Sequence, residues 1–320
     1  MRRVVDLHCD LLAYLAESKG HAAALDPRSR CSLGQLRLGN VAVQTCAIFT
    51  ETLPGSTRRA AHQHMCWRQC IESYRDRVKP FDNVIDPERI SLVLALENGS
   101  ALLEETESIV HLAARLKSYC PLLYVSLTWN GENRFGGGCG TRLGLKPDGK
   151  LLLELLAQEN IAVDLSHASY WLASDVLETI DKEHLSLTPI ASHSNFQAVK
   201  EVERNLPDPV AKEIIARGGL IGMNLFRHFV GESVQHLVDH VEHGLQLGGQ
   251  RALCFGADFF GGIPVTTSDY KEPHFFSDAG SAAAYPHCLA RLDTICTHEQ
   301  VEQIAALNAL DFMTRSSALF

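Results

Sequence analysis

Six side chains able to hold a metal ion or move a proton, His8, Asp10, Glu97, His167, His193 and Asp258, each follow a short apolar run of strand-like composition. The runs are residues 4–7, 92–96, 161–165, 189–191 and 253–257. Side chains alternate along a strand, so His8 and Asp10 fall on one face and Cys9 on the other, where an imidazole and a carboxylate can share a divalent ion. Glu97 ends Leu-Val-Leu-Ala-Leu-Glu, a run with no other charge. Its carboxylate must leave the core at a rim or be paired within it, and it can bridge two cations. His167 and His193 share one local form, an apolar run followed by Ser, His and a small residue. Two imidazoles at successive strand ends can take a second ion. Asp258, in Phe-Gly-Ala-Asp-Phe-Phe-Gly-Gly, adds a carboxylate able to carry protons.

Taken singly, each residue has a structural alternative: a polar strand end, a helix or loop cap, or a hydrogen-bonded core histidine. Their shared position at the ends of separate strands favours the metal reading. Arg204-Asn205 follows the sixth strand, and the arginine can either clamp a carboxylate with two parallel hydrogen bonds or form a surface ion pair. Two rival clusters are weaker. His236, His240 and His243 lie along one predicted helix without a converging carboxylate and read as a solvated helix face. Cys66 and Cys70 are four residues apart, but no second such pair follows.

Ligands supplied by separate strands need a fold that gathers strand ends. Eight strand-like runs are expected, at 3–8, 41–49, 91–96, 121–127, 161–165, 187–192, 219–225 and 252–257. Helices are expected between them at 60–78, 101–118, 149–159, 170–182, 208–217 and 233–247. Ser169 is placed to cap one of these helices, and Gly218-Gly219 to stop another. Eight is the number that closes a barrel, with the site at the C-terminal rim of the strands. The expected architecture is α/β, a single catalytic (β/α)8 TIM-type barrel over 1–320. The Gly- and Pro-rich segments 130–149 and 258–286 would be loops over the site. The periodic stretch from His298 to Ser316 would pack outside the closure.

Composition narrows the function. At 46% hydrophobic and 21% charged, the 320 residues suit a soluble globular protein with a large core. A net charge of -9 and the lack of a Lys/Arg block exclude nucleic acid as an expected partner. After Met1-Arg2-Arg3 the apolar stretch stops at Asp6, too short for a signal-peptide core or a membrane span, so no membrane association is expected and the expected address is cytoplasmic. Ten scattered cysteines read as free thiols.

The order His-x-Asp, Glu-x-Gly, Ser-His, Ser-His-Ser, Arg-Asn-x-Pro-Asp, Gly-x-Asp-Phe resembles the membrane (renal-type) dipeptidase family, zinc peptidases of the metal-dependent amidohydrolase superfamily. The likeness runs from Asp6 to about Gly261, and its longest matches are Val-Asp-Leu-Ser-His at 163–167, Ser-His-Ser at 192–194 and Arg-Asn-Leu-Pro-Asp at 204–208. The resemblance implies two Zn2+ per chain, one on His8 and Asp10, the other on His167 and His193, with Glu97 bridging them. It further implies a water or hydroxide between the metals as nucleophile, Asp258 as relay of its proton to the leaving amine, and Arg204 as binder of the substrate's C-terminal carboxylate. The substrate would be a dipeptide, L,D-dipeptides included, and a homodimer is the assembly expected by analogy.

Three departures bear on this. Trp129 stands where many members carry a histidine that helps stabilise the oxyanion; it can pack against substrate, and its indole N–H or Asn130 can donate instead. Phe260 stands where the family commonly has a second acid. The animal enzymes are exported and lipid-anchored, whereas this chain shows neither a leader nor a hydrophobic tail and resembles the cytoplasmic bacterial branch. Fold does not fix substrate, so another amide, ester or lactone hydrolase of the superfamily, or a metal-binding homologue without turnover, is the alternative.

Overall fold

The computed structural model describes residues 2–18, 20–261 and 273–315, so part of the expected 258–286 loop lies outside the described residues. The strands β1 (Val4–Cys9), β2 (Val41–Phe49), β3 (Val78–Pro80), β4 (Ile90–Glu97), β5 (Tyr124–Ser126), β6 (Ala162–Asp164), β7 (Pro189–Ile190), β8 (Ile221–Met223) and β9 (Leu253–Phe255) form one parallel sheet. Its order is β7-β6-β5-β4-β2-β1-β9-β8, with β3 pairing β4 outside this path. A parallel bridge from Ala191 to Ile221 joins the two ends. There Ala191 N–H donates to the Leu220 carbonyl and Gly222 N–H to the Ala191 carbonyl, both at 2.8 Å. The result is a nearly closed (β/α)8 barrel, as the spacing of apolar runs predicts.

Val5, Leu7, Val43, Val93, Ala95, Tyr124, Ala162, Ile190 and Cys254, drawn from strands all around the circle, form one buried cluster that fills the barrel. Ala309, Phe312 and Met313 belong to the same cluster, which corrects the expectation for the C-terminal stretch. The helix Asn308–Arg315 does not pack outside the closure. Its apolar stripe plugs the barrel end opposite the site, and Asn308 Nδ2 donates to the carbonyls of Gln250 and Leu253, each at 2.8 Å.

The other differences are local. The helix expected at 60–78 is Ser56–Ser73, and Val78 belongs to β3. The helix expected at 101–118 starts only at Leu112 and ends at Tyr119. Before it, Asn98 accepts the Ser100 N–H, and the Glu107 carboxylate takes the Glu104 N–H together with both Arg115 Nη groups, so the chain runs through turns. Short helices at Leu11–Glu17, Leu33–Leu38, Arg227–Val230 and Tyr285–Leu292 were not read from the sequence. Ser169 caps its helix as expected, its side chain accepting the Leu172 N–H. Among the described residues no helix is long and apolar enough to cross a membrane. All ten cysteines are free thiols.

Closure depends on glycine at two places. A Cβ at Gly222 would lie 2.0 Å from the Ser192 carbonyl oxygen; one at Gly256 would lie 1.8 Å from that oxygen and 3.1 Å from His193 Cα. Gly256→Ala should therefore cost about 3 kcal/mol or more by overpacking backbone against backbone. Gly34→Ala, on an exposed helical site with nothing within 4 Å of the new methyl, should be neutral or stabilising by up to about 1 kcal/mol. Urea unfolding of both variants checks this, and equal midpoints would refute the close approach.

Candidate metal centre

A break in strand alternation sets the position of the first ligand-type residue. Val5 and Leu7 point into the barrel, so unbroken alternation would turn His8 outward. Between Asp6 and Cys9 the strand advances three residues while β2 advances two, from Gln44 to Cys46. This extra residue is a bulge that re-aims His8 and Asp10 to the interior rim. The Asp6 carboxylate holds it, accepting the N–H groups of His8 at 3.1 Å and Ala257 at 3.0 Å. Asp164, four strands away on the opposite side of the barrel, makes the same pair of contacts, accepting Ser166 N–H at 3.0 Å and Ser192 N–H at 2.8 Å. His167 and Asp258 then leave their strands in the left-handed backbone region, at φ 67° and 62°. Such conformations cost of order 1–3 kcal/mol and persist only where surrounding contacts fix them.

All six residues predicted from sequence meet in one place. His167 Nε2 lies 2.8 Å from one oxygen of Glu97 and 2.9 Å from His193 Nε2. His8 Nε2 lies 3.3 Å from the other oxygen of Glu97, 3.8 Å from Asp258 and 4.0 Å from Asp10. His8, Glu97 and His193 offer atoms mutually close enough to share one ion, and so do His8, Asp10 and Asp258.

The far side of each ring decides which nitrogen is free. Tyr124 donates its hydroxyl to the Leu7 carbonyl at 2.9 Å, so it accepts from His8 Nδ1–H at 2.7 Å. Ser192 donates to Asp164 at 2.6 Å and accepts from His193 Nδ1–H at 2.7 Å. Asn130 Oδ1 accepts from His167 Nδ1–H at 2.7 Å. Every Nδ1 thus points its proton outward, and every Nε2, the nitrogen left for a metal, faces Glu97 or its neighbours. Fixing the tautomer through the second nitrogen is how proteins prepare imidazole for metals.

The electrostatics also call for positive charge. Burial and Glu97 raise the Asp10 and Asp258 carboxyls against the pull of His8, leaving Asp258 at about 6. Burial opposes a charged His8, yet Glu97, Asp10 and Asp258 outweigh it and raise the imidazole to about 10. Burial, Arg204 and His8 hold His167 down at about 4, and burial, His8 and Arg204 keep His193 well below its usual value. His8 Nε2 and Asp10 Oδ1 are buried without a hydrogen-bond partner. A donor set of imidazole nitrogens and carboxylate oxygens, with orphaned atoms facing one another, fits divalent ions such as zinc.

Asp10, Glu97, His167 and Asp258 line one side of a cavity of about 320 Å³. Phe49, Trp129, Phe226, Phe229 and Phe260 also line it, together with Asn130, and so do Glu17, Glu51 and Arg59. Trp129 meets Phe49 edge-on at 5.3 Å. Arg204 does not line the cavity. It is buried behind Phe229, with its guanidinium 5.5 Å from that ring, Nη1 on Ser194 Oγ at 2.7 Å, Nη2 on the His193 carbonyl at 3.0 Å, and Nε unpartnered.

The rival clusters resolve structurally. His240 is fully buried, its Nδ1 accepting the Phe196 N–H and its Nε2 donating to the Val230 carbonyl, and His243 pairs with Asp208 at 2.8 Å. The expected solvated face is therefore wrong. His240 shares the buried stripe of Leu237, Val241 and Gly244, and it survives there because both nitrogens are bonded. Cys66 and Cys70 are buried in their helix. Sequence reasoning missed Tyr124, Asp164, Ser192 and Asn224. The repeat of Val-Asp-Leu before His8 and before Ser166-His167 was the available signal.

Residues 2–317 match the family model described as membrane dipeptidase, peptidase family M19. The chain belongs to that family. An uncharacterized dipeptidase of Schizosaccharomyces pombe is 26% identical over 96% of this chain and 79% of its own. A metallopeptidase from Rhodobacter sphaeroides, solved with a phosphinate mimic of the dipeptide L-Ala-D-Ala, is similar in structure with TM-score 0.83 and 18% identity over 98% of this chain and 99% of that one. A probable dipeptidase, PvdM from Pseudomonas aeruginosa, gives 0.79 at 14% identity over 99% and 96%. At such identities the structural likeness is one of fold, and the family rests on the sequence match.

If Nδ1 anchoring prepares these rings, then Ser192→Ala and Tyr124→Phe should each weaken divalent-metal binding about 10–100-fold. Competition against a chromogenic chelator measures this, with far-UV circular dichroism as the check on folding. Unaltered affinity in both variants would show that the rings are positioned by other means.

Proposed function

We propose that this M19 family member is a binuclear zinc dipeptidase in which residues 1–320 form one catalytic barrel. The observation that carries the reading is the set of three imidazoles, each with Nδ1 anchored and Nε2 turned toward the bridging carboxylate Glu97. His8 and Asp10 would hold one ion, His167 and His193 the other, and Glu97 both. When bound, the pair of ions supplies an acidified water and polarises the scissile carbonyl.

The remaining steps fall to the chain itself. Asn224 Nδ2 donates to Asp258 Oδ2 at 2.9 Å, and the other carboxylate oxygen stands 3.8 Å from His8. One oxygen is thus held and the other faces the ligand cluster, as a group passing a proton to the leaving amine requires. Phe49, Trp129, Phe226 and Phe260 exclude water around a small peptide. Arg204 is the proposed partner of the substrate's carboxylate; its Nε is unpartnered, and each Nη spends one of its two N–H groups within the protein. A reducing, cytoplasmic setting accords with ten free thiols.

Protein purified without chelator should carry close to two zinc per chain by elemental analysis; a natively folded, metal-free chain would sink the proposal. Asp258→Asn should lower dipeptide cleavage at least about 100-fold with metal retained. A panel of L,L and L,D dipeptides with free and amidated C-termini tests the carboxylate contact, which fails if amidated substrates are cleaved equally well.

A further inference from the structure

The Asn130 side chain touches the candidate centre and is only half used. Its carbonyl oxygen accepts twice, from His167 Nδ1–H at 2.7 Å and from the Cys139 thiol at 3.2 Å. Those two donors settle which end of the carboxamide is oxygen, because His167 must give its proton at Nδ1 to keep Nε2 free for the cluster. The Nδ2 amide group therefore points away from both, and it has no acceptor among the described residues.

The backbone is equally fixed. Gly140 N–H donates to the Asn130 carbonyl at 2.9 Å, and a Cβ at Gly138 would stand 2.5 Å from that carbonyl carbon, so the loop is pressed against residue 130. Asn130 lines the same cavity as Glu97, His167 and Asp258. A neutral N–H donor, oriented before substrate arrives and held beside the ligands, is the arrangement that stabilises charge developing in a transition state.

Resting on the dipeptidase reading, we propose that Asn130 Nδ2 donates to the scissile carbonyl oxygen as that atom gains negative charge. The contact would strengthen as the carbonyl becomes tetrahedral, so its loss should lower kcat more than it raises KM. Trp129, packed edge-on against Phe49, serves as wall rather than donor.

The test compares wild type with Asn130→Asp, which keeps an oxygen for His167 but loses the donor, and with Asn130→Ala, which loses the donor without adding charge. Both are assayed at saturating zinc. Expected are unchanged zinc content in Asn130→Asp, a fall in kcat of about 100-fold or more in both, a KM within a few-fold, and a comparable loss of affinity for a phosphinate dipeptide mimic. The inference is overturned if kcat and phosphinate affinity stay within threefold of wild type, or if Trp129→Phe rather than the Asn130 variants loses phosphinate affinity. It is overturned equally if excess zinc restores the lost activity. A fully metallated wild type that cleaves no dipeptide defeats the dipeptidase reading instead. Calorimetry with the phosphinate then still decides the donor: weaker binding by both variants supports it, and equal binding or no binding by wild type overturns it.

Discussion

Carboxylates crowded into a buried rim need positive charge, and much of this structure follows from that demand. Asp10 and Glu97, both buried, and Asp258, half-buried, surround a single imidazole, His8, whose ring nitrogen faces all three. Taking an ionised carboxylate out of water costs several kcal/mol unless a cation or several donors compensate. A hydrogen bond from Asn224 serves Asp258, but Asp10 retains an orphaned oxygen. One protonated histidine cannot neutralise three acids. Divalent ions can, while letting all three histidines remain neutral ligands.

That demand explains why so much of the surrounding structure is polar and yet buried. Asp6 and Asp164 each spend one oxygen on two backbone N–H groups, one from their own strand and one from a neighbouring segment. Each uses the other oxygen on a hydroxyl, that of Tyr285 or Ser192. These carboxylates bend the strand ends and tie adjacent segments into one rim. Asp10 N–H on the Phe259 carbonyl and Asp258 N–H on the His8 carbonyl lace the first and last strands together in the same way. The ligands are therefore held by backbone geometry, which is stiffer than side-chain packing alone.

The barrel and the convergence of the six candidate residues on one rim were legible in the sequence because both depend on short-range patterns. Apolar runs mark parallel strands, and chemistry-bearing residues at their C-terminal ends mark the rim. What stayed hidden depends on tertiary context. Alternation along β1 gives the right pairing of His8 with Asp10 but not the bulge that turns them inward from the register of Val5 and Leu7. The helix Asn308–Arg315 has the period of any amphipathic helix, and no local signal says that it caps a barrel interior. His240 looked solvated because periodicity cannot reveal that a backbone N–H and a carbonyl wait on either side of the ring. The anchoring partners Tyr124 and Asn224 carry no motif, and nothing in the Ser-His-Ser match tells that the Ser192 hydroxyl orients His193.

Two of the three departures from the family pattern, Trp129 and Phe260, act on one surface. Trp129 and Phe260 both line the cavity, where the pattern would put an imidazole and a carboxylate. Aromatic rings at these two positions lower the polarity of that wall. A less polar wall strengthens the electrostatic contacts that remain in the cavity, among them those of the candidate ligand cluster, Asp258 and the Asn130 amide. Arg204, spaced behind Phe229 and already bonded to Ser194 and the His193 carbonyl, is tied to the same rim that carries the ligands.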